Sequence, residues 1–303
     1  MNQEELSKRI KETERIIAGY LPKEEGFIKS VAKAMNYSFL AGGKRLRPLL
    51  MQETFFLFGG TGKLVEPFMA ALEMIHTYSL IHDDLPCMDN DEYRRGQKTT
   101  HIVYGEGMAV LAGDALLNYA YETAAGAFGL LDEDDLQGYA RVAGALRILA
   151  EKAGIYGMVG GQAVDVEAEK KGLPVNAEML LFIHQNKTAA LIEAAMMTGA
   201  LLAGASGEQI TQMEQCARDV GIAFQIQDDI LDVAGSQEEM GKPVGSDEKN
   251  HKETYVSIFG MEKSQEDVNL LSARAAELVQ RYETADSGTF LRELILSLIN
   301  RTH

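Results

Sequence analysis

The chain has 303 residues, of which 46% are apolar, so it is long enough to bury a sizeable hydrophobic core. Its formal net charge is −16, which argues against nucleic acid as a partner because a duplex-binding protein presents a basic face. Its two cysteines, Cys87 and Cys216, lie far apart without metal-type spacing, which is typical of a reduced chain without a disulfide framework.

The N-terminal segment is charged from its first residues and carries no apolar signal core. No apolar run approaches the roughly 20 residues that are needed to span a bilayer. We therefore expect a cytoplasmic protein without stable membrane insertion.

Three helices are predicted at the start of the chain, where apolar residues recur at spacings of three and four. The first covers 6–20 and is amphipathic, and the second covers 24–43 and ends at a glycine pair. The third runs from Lys44 to 60, with Pro48 tolerated in its first turn.

The segment from Lys63 to Asp84 is a long, mostly apolar helix, which places it in the centre of the fold. Further helices fit the ranges 105–128, 133–157, 177–203, 207–234, 264–283 and 288–300. Turn signals lie at 169–176 and 234–253, and no helix is assigned to 158–168. No stretch alternates with period two for long enough to require a sheet. The sequence thus predicts one all-α domain over 1–303.

The central helix ends in an acidic cluster within the stretch HDDLPCMDNDEYRRG. It contains Asp83, Asp84 and Asp89, with Asp91 beyond. Pro86 disfavours a continuing helix, so the chain is expected to turn there and bring Asp89 back beside Asp83. Carboxylates at the end of an apolar helix are unfavourable for the helix dipole unless something else holds them.

A second acidic cluster, in FQIQDDILD, also ends an apolar helical stretch. Asp228 and Asp232 are four residues apart and share a helix face, with Asp229 beside them. Oxygen ligands without His or Cys suit Mg²⁺, which binds few carboxylates together with substrate phosphates. Two facing clusters would therefore hold a diphosphate between them. The alternative is two solvated helix ends, as we read the acidic run at 132–136, which begins a helix.

Basic residues near glycines and predicted helix ends indicate phosphate recognition in a chain this acidic. Lys44 and Arg47, in GGKRLRP, are predicted to share one helix face near its start. The others follow the acidic clusters or lie in HQNKTAAL: Arg94, Arg95, Lys187, Lys242 and Lys252. The alternative for any one of them is a surface ion pair with the surplus acids.

Together, HDDLPCMDNDEYRRG, FQIQDDILD, GGKRLRP and NKTAALI resemble the short-chain trans-prenyl diphosphate synthases, closest to the bacterial farnesyl diphosphate synthases. The resemblance covers the chain from about residue 25 to its end. It implies a single large helical bundle of the isoprenoid synthase type with a central apolar cavity, and a homodimer. Ser246 departs from the pattern, since family members often carry Lys there.

The resemblance implies a role for each motif residue. Both acidic clusters would bind Mg²⁺, with three ions holding the allylic diphosphate: Asp83, Asp84, Asp89, Asp228, Asp229 and Asp232. That substrate, dimethylallyl or geranyl diphosphate, would also contact Arg94, Lys187, Thr188, Gln225 and Lys242, with Lys252 nearby. Isopentenyl diphosphate would be held by Lys44, Arg47, His76 and Arg95. Catalysis would depend on Asp83, Asp84, Asp89, Arg94, Lys187 and Asp228. Gln162 and Asp165 fit the family pattern but have no role that the residues show independently.

His76 and Tyr78 each allow two interpretations. A lone histidine in an apolar helix is usually a core residue, but His76 lies two helical turns before Asp83 on roughly the same face. Tyr78 and Ser79 lie five and four residues before Asp83, and an aromatic ring at that depth would stop chain growth. With this form of the first motif, the resemblance implies a C15 product. The alternative for Tyr78 is ordinary packing.

The expected reaction is a Mg²⁺-dependent head-to-tail condensation of isopentenyl diphosphate with an allylic diphosphate to give farnesyl diphosphate. Geranylgeranyl diphosphate synthase is the alternative within this class. A terpene cyclase would have no second diphosphate for Lys44, Arg47 and Arg95 to hold. A non-catalytic subunit would be expected to lose aspartates or arginines, whereas both clusters are intact here.

Overall fold

The computed structural model describes residues 2–234, 253–284 and 287–299, and these form an all-α fold. The first helices are α1 (Gln3–Ala18), α2 (Lys29–Phe39), α3 (Leu46–Leu57), α4 (Glu66–Asp83), α5 (Thr100–Tyr104), α6 (Glu106–Ala125) and α7 (Leu136–Ala153). They are followed by α8 (Met158–Lys171), α9 (Ala177–Ile183), α10 (Ala190–Ala203), α11 (Gly207–Ala234), α12 (Tyr255–Phe259), α13 (Met261–Gln280) and α14 (Thr289–Ile299). The all-α prediction is confirmed.

Helix α4 lies in the centre of the fold, as its apolar sequence predicts. Its side chains from Phe68 to Ile75 are all buried, and it packs against α1, α2, α3, α6 and α10. Burying a large apolar side chain contributes about 1.5–3 kcal/mol relative to exposure. Because most of its length is fixed by packing, α4 is a rigid support for the acidic cluster at its C-terminal end.

A second group of helices packs around α10, whose side chains are also largely buried. Helix α10 contacts α3, α7 and α11, and α11 in turn packs along α13. The prediction of a helix over 207–234 is confirmed at both ends. This group carries the second acidic cluster at the C-terminal part of α11.

Helix α8 is the main element that the sequence analysis missed. The helix predicted over 133–157 ends at Ala153, and a separate helix begins at Met158, where none was assigned. Gly161 is required there for a close approach, because a Cβ atom on it would lie 2.2 Å from the backbone nitrogen of Lys187. Gly161 therefore lets α8 pack closely on a neighbouring segment.

Two further differences lie close to the predicted site residues. The predicted helix over 177–203 is interrupted by a π-helical turn at His184–Ala189, between α9 and α10. A short hairpin pairs β1 (Tyr93–Arg94) with β2 (Gln97–Lys98), where no strand was predicted.

The described residues contain no helix that is both long and apolar enough to cross a bilayer. Cys87 is exposed and Cys216 is buried, and both are free thiols.

Candidate active site

The first acidic cluster is folded back on itself at the end of α4. The helix ends at Asp83, and the backbone N–H of Asp89 donates to the carbonyl oxygen of Asp83 at 2.8 Å. The predicted turn after Pro86 and the return of Asp89 to Asp83 are both confirmed.

Asp83 carries a carboxyl group that the protein keeps partly desolvated. Burial raises its pKa to about 6, and the charge of Asp89 acts in the same direction, while Lys187 and Arg94 oppose the rise. Its Oδ1 accepts a hydrogen bond from Nε2 of Gln162, on α8, at 2.5 Å. The neighbouring positive charge is therefore too small to offset the cost of burying the ionised carboxylate.

Asp84 is buried and forms an ion pair with Arg94, which the sequence predicts to bind phosphate. Nε of Arg94 donates to Oδ1 of Asp84 at 2.6 Å, and the same guanidinium lies 3.4 Å from Asp91. Burial raises the pKa of Asp84, and Arg94 limits the rise. The hairpin that contains Arg94 thus places its guanidinium beside the first acidic cluster.

The second acidic cluster lies on α11, with Asp229 and Asp232 buried and Asp228 half-buried. Oδ2 of Asp229 accepts the backbone N–H of Tyr255 at 2.7 Å and lies 3.8 Å from Nε2 of His184. One carboxylate oxygen of this cluster therefore holds the backbone at the start of α12 by a hydrogen bond.

Lys187 and Thr188 occupy the π-helical turn between α9 and α10. Nζ of Lys187 donates to Oδ2 of Asp165, on α8, at 2.5 Å. The hydroxyl of Thr188 donates to Oε1 of Gln225, on α11, at 3.1 Å. Isolated π-helical turns are frequent at functional sites because they displace side chains from the regular helical positions.

Two cavities meet at this turn, since Lys187 and Thr188 line both of them. The first has a volume of about 760 Å³, and its lining includes Arg47, His76, Tyr78, Ser79, His82, Asp83, Met158, Gln162 and Leu191. The second has a volume of about 570 Å³, and its lining includes Asp165, Glu169, His184, Gln225, Asp229 and Thr254. One member of each acidic cluster therefore faces a cavity, and the two cavities share a wall.

A cationic subsite adjoins the first cavity. Nη1 of Arg47 lies 3.4 Å from Nε2 of His76, and the imidazole nitrogen accepts because a guanidinium only donates. Burial and the surrounding arginines lower the pKa of His76 well below its ordinary value, so the ring is neutral at pH 7. Nε of Arg47 is buried and has no hydrogen-bond partner within the described parts of the chain.

Arg95 lies near Arg47 and His76, because its charge contributes to lowering the pKa of both. Lys44 is exposed and precedes the cap residue of α3, so the prediction that it shares a helix face with Arg47 was wrong. The cause is a left-handed backbone at Arg45, with φ of 47°, so that the helix begins only at Leu46. The guanidinium of Arg95 donates to the carbonyl oxygen of Gly42.

Arg45 is a structural residue of this subsite that sequence reasoning missed. It is buried, and its Nη1 donates to Oε1 of buried Glu73, on α4, at 2.7 Å. It also reaches Glu14 at 3.3 Å and the carbonyl oxygen of Phe39 at 2.7 Å. Nothing in GGKRLRP separates Arg45 from its basic neighbours, because the distinguishing partner lies on another helix.

The remaining predicted residues either line the first cavity or lie outside the described residues. Tyr78 is 7% exposed and, with Ser79, lines the first cavity. Lys242 and Lys252 lie outside the described residues, as does Ser246. No group of three or more His, Cys, Asp or Glu side chains within 2–234, 253–284 and 287–299 is arranged to hold a metal ion by itself.

Residues 28–287 match the sequence profile of the polyprenyl synthetase family. The chain is 44% identical to a farnesyl diphosphate synthase of Geobacillus stearothermophilus, over 86% of this chain and 85% of the relative. It is 45% identical to a geranylgeranyl diphosphate synthase of Cyanophora paradoxa, over 82% of this chain and 81% of that relative.

Among solved structures, the fold matches a geranyltransferase from Helicobacter pylori complexed with magnesium and isoprenyl diphosphate. The TM-score is 0.78 and the sequence identity is 32%, over 97% of this chain and 95% of the other.

Proposed function

The chain belongs to the polyprenyl synthetase family and is a trans-prenyl diphosphate synthase, and from that premise we propose that it makes farnesyl diphosphate. The proposed reaction adds isopentenyl diphosphate to dimethylallyl diphosphate and then to geranyl diphosphate. The observation that carries the C15 product is the buried ring of Tyr78 in the wall of the first cavity.

Mg²⁺ is the cofactor that we propose, bound through both acidic clusters together with the allylic diphosphate. The donor set fits, because these clusters offer carboxylate oxygens and the pKa of Asp83 is raised by burial and by the charge of Asp89. Carboxylates supplied by two separate clusters also fit Mg²⁺, which uses one or two carboxylates and completes its shell with phosphate and water. A relative with a similar fold binds magnesium with isoprenyl diphosphate.

Under this proposal, the bound Mg²⁺ supplies positive charge that offsets the charge growing on the departing diphosphate. Lys187 and Arg94, which already contact acids of the site, hold the allylic diphosphate. Lys44, Arg47 and Arg95 hold isopentenyl diphosphate, and neutral His76 positions Arg47 by accepting its hydrogen bond without adding charge.

The apolar part of the first cavity then excludes water from the allylic cation that forms when the C–O bond breaks. Its lining includes Met88, Met158, Val159, Val166 and Leu191. The double bond of isopentenyl diphosphate attacks this cation, and the released diphosphate accepts the proton that is lost, as the resemblance implies.

Chain length follows from the position of Tyr78 on α4. It lies five residues before Asp83, which corresponds to about 7.5 Å along the helix axis. A prenyl tail that runs from the diphosphate towards the N-terminal end of α4 meets this ring. We propose that Tyr78, with Ser79 beside it, ends elongation at C15.

The test is to incubate the purified single chain with isopentenyl diphosphate, Mg²⁺ and each allylic starter, and to separate the dephosphorylated products by chromatography. We expect dimethylallyl and geranyl diphosphate to give farnesol after dephosphorylation, with no extension of farnesyl diphosphate. A C20 product would instead establish the geranylgeranyl alternative, which the relatives' names also include. Hydrocarbon made from geranyl diphosphate alone would indicate a cyclase.

Replacing Tyr78 by Ala tests the length determinant separately. We expect C20 and longer products from the variant under conditions in which the wild type stops at C15. Unchanged farnesyl diphosphate from Tyr78→Ala would discard the role of the ring while leaving the prenyl transfer itself intact.

A further inference from the structure

His82, the residue before the first acidic cluster, lies over a glycine of the neighbouring helix. A Cβ atom built on Gly113, on α6, would lie 2.1 Å from Nε2 of His82 and 2.5 Å from its Cδ2. Real Cβ atoms do not approach other atoms so closely, so the imidazole occupies the space that any other residue at position 113 would fill.

The imidazole is held on two further sides. Its Nε2 lies 3.1 Å from the carbonyl oxygen of Val110, one turn before Gly113. Its ring meets the ring of Tyr78 edge to face, with centroids 5.8 Å apart and an interplanar angle of 81°. Such edge-to-face pairs contribute specific geometry as well as buried area.

The open side of the imidazole is the first cavity, which His82, Tyr78 and Asp83 all line. A Cβ atom at Gly113 would push the ring away from α6. Because Val110 and Tyr78 bound the ring on two other sides and the ring lines the first cavity, we expect it to move into that cavity.

We propose that Gly113 is a specificity-determining residue, which acts through His82 to set the depth of the prenyl-chain cavity at Tyr78. The absence of a side chain at position 113 seats the imidazole against α6, and the seated imidazole fixes the edge of the Tyr78 ring. This inference rests on the proposed function, because it concerns the length of the product chain.

The proposal makes opposite predictions for the two residues. Gly113→Ala displaces the imidazole into the cavity, so less room remains and more geranyl diphosphate is released before the second condensation. His82→Ala removes the ring and the support of Tyr78, so products longer than C15 appear. A change of about one methylene in an apolar pocket alters discrimination by roughly 10–200-fold, and we expect the product ratios to change by about tenfold or more.

The experiment measures the C10:C15:C20 product ratio for the wild type, Gly113→Ala, His82→Ala and the double variant. Gly107→Ala is the matched control, because a Cβ on this glycine of α6 meets nothing within 4 Å. We expect no change in the control and loss of the Gly113→Ala effect in the His82→Ala background, since the added methyl group acts only through the ring. His82→Asn, which shortens the side chain and keeps a polar donor, provides a second, milder enlargement.

An unchanged product ratio in an active Gly113→Ala enzyme would overturn the proposal. So would the same shift towards C10 in the single and double variants, because the methyl group would then act without the imidazole. Failure of the wild type to incorporate isopentenyl diphosphate would defeat the proposed function itself and is a separate, directly visible result.

Discussion

Replacing Asp83 by Asn is expected to stabilise the ligand-free protein while removing its activity. The pKa of Asp83 rises from 3.8 to about 6 on folding, so the folded state disfavours the ionised form. An acid whose pKa is raised destabilises the fold increasingly as the pH rises from the unfolded pKa to the folded pKa. The penalty is thus small near pH 4, complete above about pH 7, and absent in the asparagine variant.

The size of the effect follows from the shift. About two pKa units correspond to at most about 3 kcal/mol, and partial exposure of the side chain reduces this, so we expect about 1–3 kcal/mol. With an unfolding entropy of about 2.1 cal/mol/K per residue, this amounts to roughly 1.5–5 °C in melting temperature. The asparagine Oδ1 still accepts the hydrogen bond that Gln162 donates to Asp83, so no buried donor is left unpaired.

The assay is thermal or urea denaturation in EDTA at pH 8 and near pH 4. The control is Asp134→Asn, because Asp134 is exposed. Mg²⁺ with an allylic diphosphate analogue is expected to stabilise the wild type more than Asp83→Asn. If Asp83→Asn were less stable than the wild type at pH 8, the carboxylate would be well stabilised without a metal cation, which would contradict the proposed reason for metal binding.

Three further variants test other contacts of the site. Arg45→Met leaves buried Glu73 without its counter-charge and is expected to cost about 3–5 kcal/mol in urea denaturation, with part of the loss recovered when Glu73→Gln is added. Lys187→Ala removes a cation from the shared wall, and kcat/KM for the allylic substrate is expected to fall by roughly 10–150-fold, the equivalent of one charged hydrogen bond, with KM for isopentenyl diphosphate little changed. Gln162→Leu removes the donor to Asp83 and should lower kcat by a similar factor without changing the melting temperature by more than a few degrees; an unchanged kcat would show that Asp83 is oriented without it.

The sequence predicted those features of the fold and of the site that depend on a single helix or a single turn. The central position of α4 follows from its apolar residues, and the return of Asp89 to Asp83 follows from Pro86. The pairing of Arg45 with Glu73 could not be read in this way, because the two residues are 28 positions apart and lie on different elements. Arg47 lines the first cavity while its neighbour Arg45 is buried against Glu73, and the left-handed backbone at Arg45 before α3 is one that no local residue preference requires.

The glycines of α8 explain both why the sequence did not predict this helix and how the helix contributes to the site. Glycines lower helix propensity by about 1 kcal/mol each relative to alanine, so Gly160 and Gly161 weaken the local preference for a helix at the start of α8. Gly161 nevertheless lies in the helix because it allows the backbone of α8 to approach Lys187 in the π-helical turn. That approach places Gln162 against Asp83 and Asp165 against Lys187. The weak local preference is thus offset by tertiary packing, and the same packing connects the first acidic cluster with the cation that both cavities share.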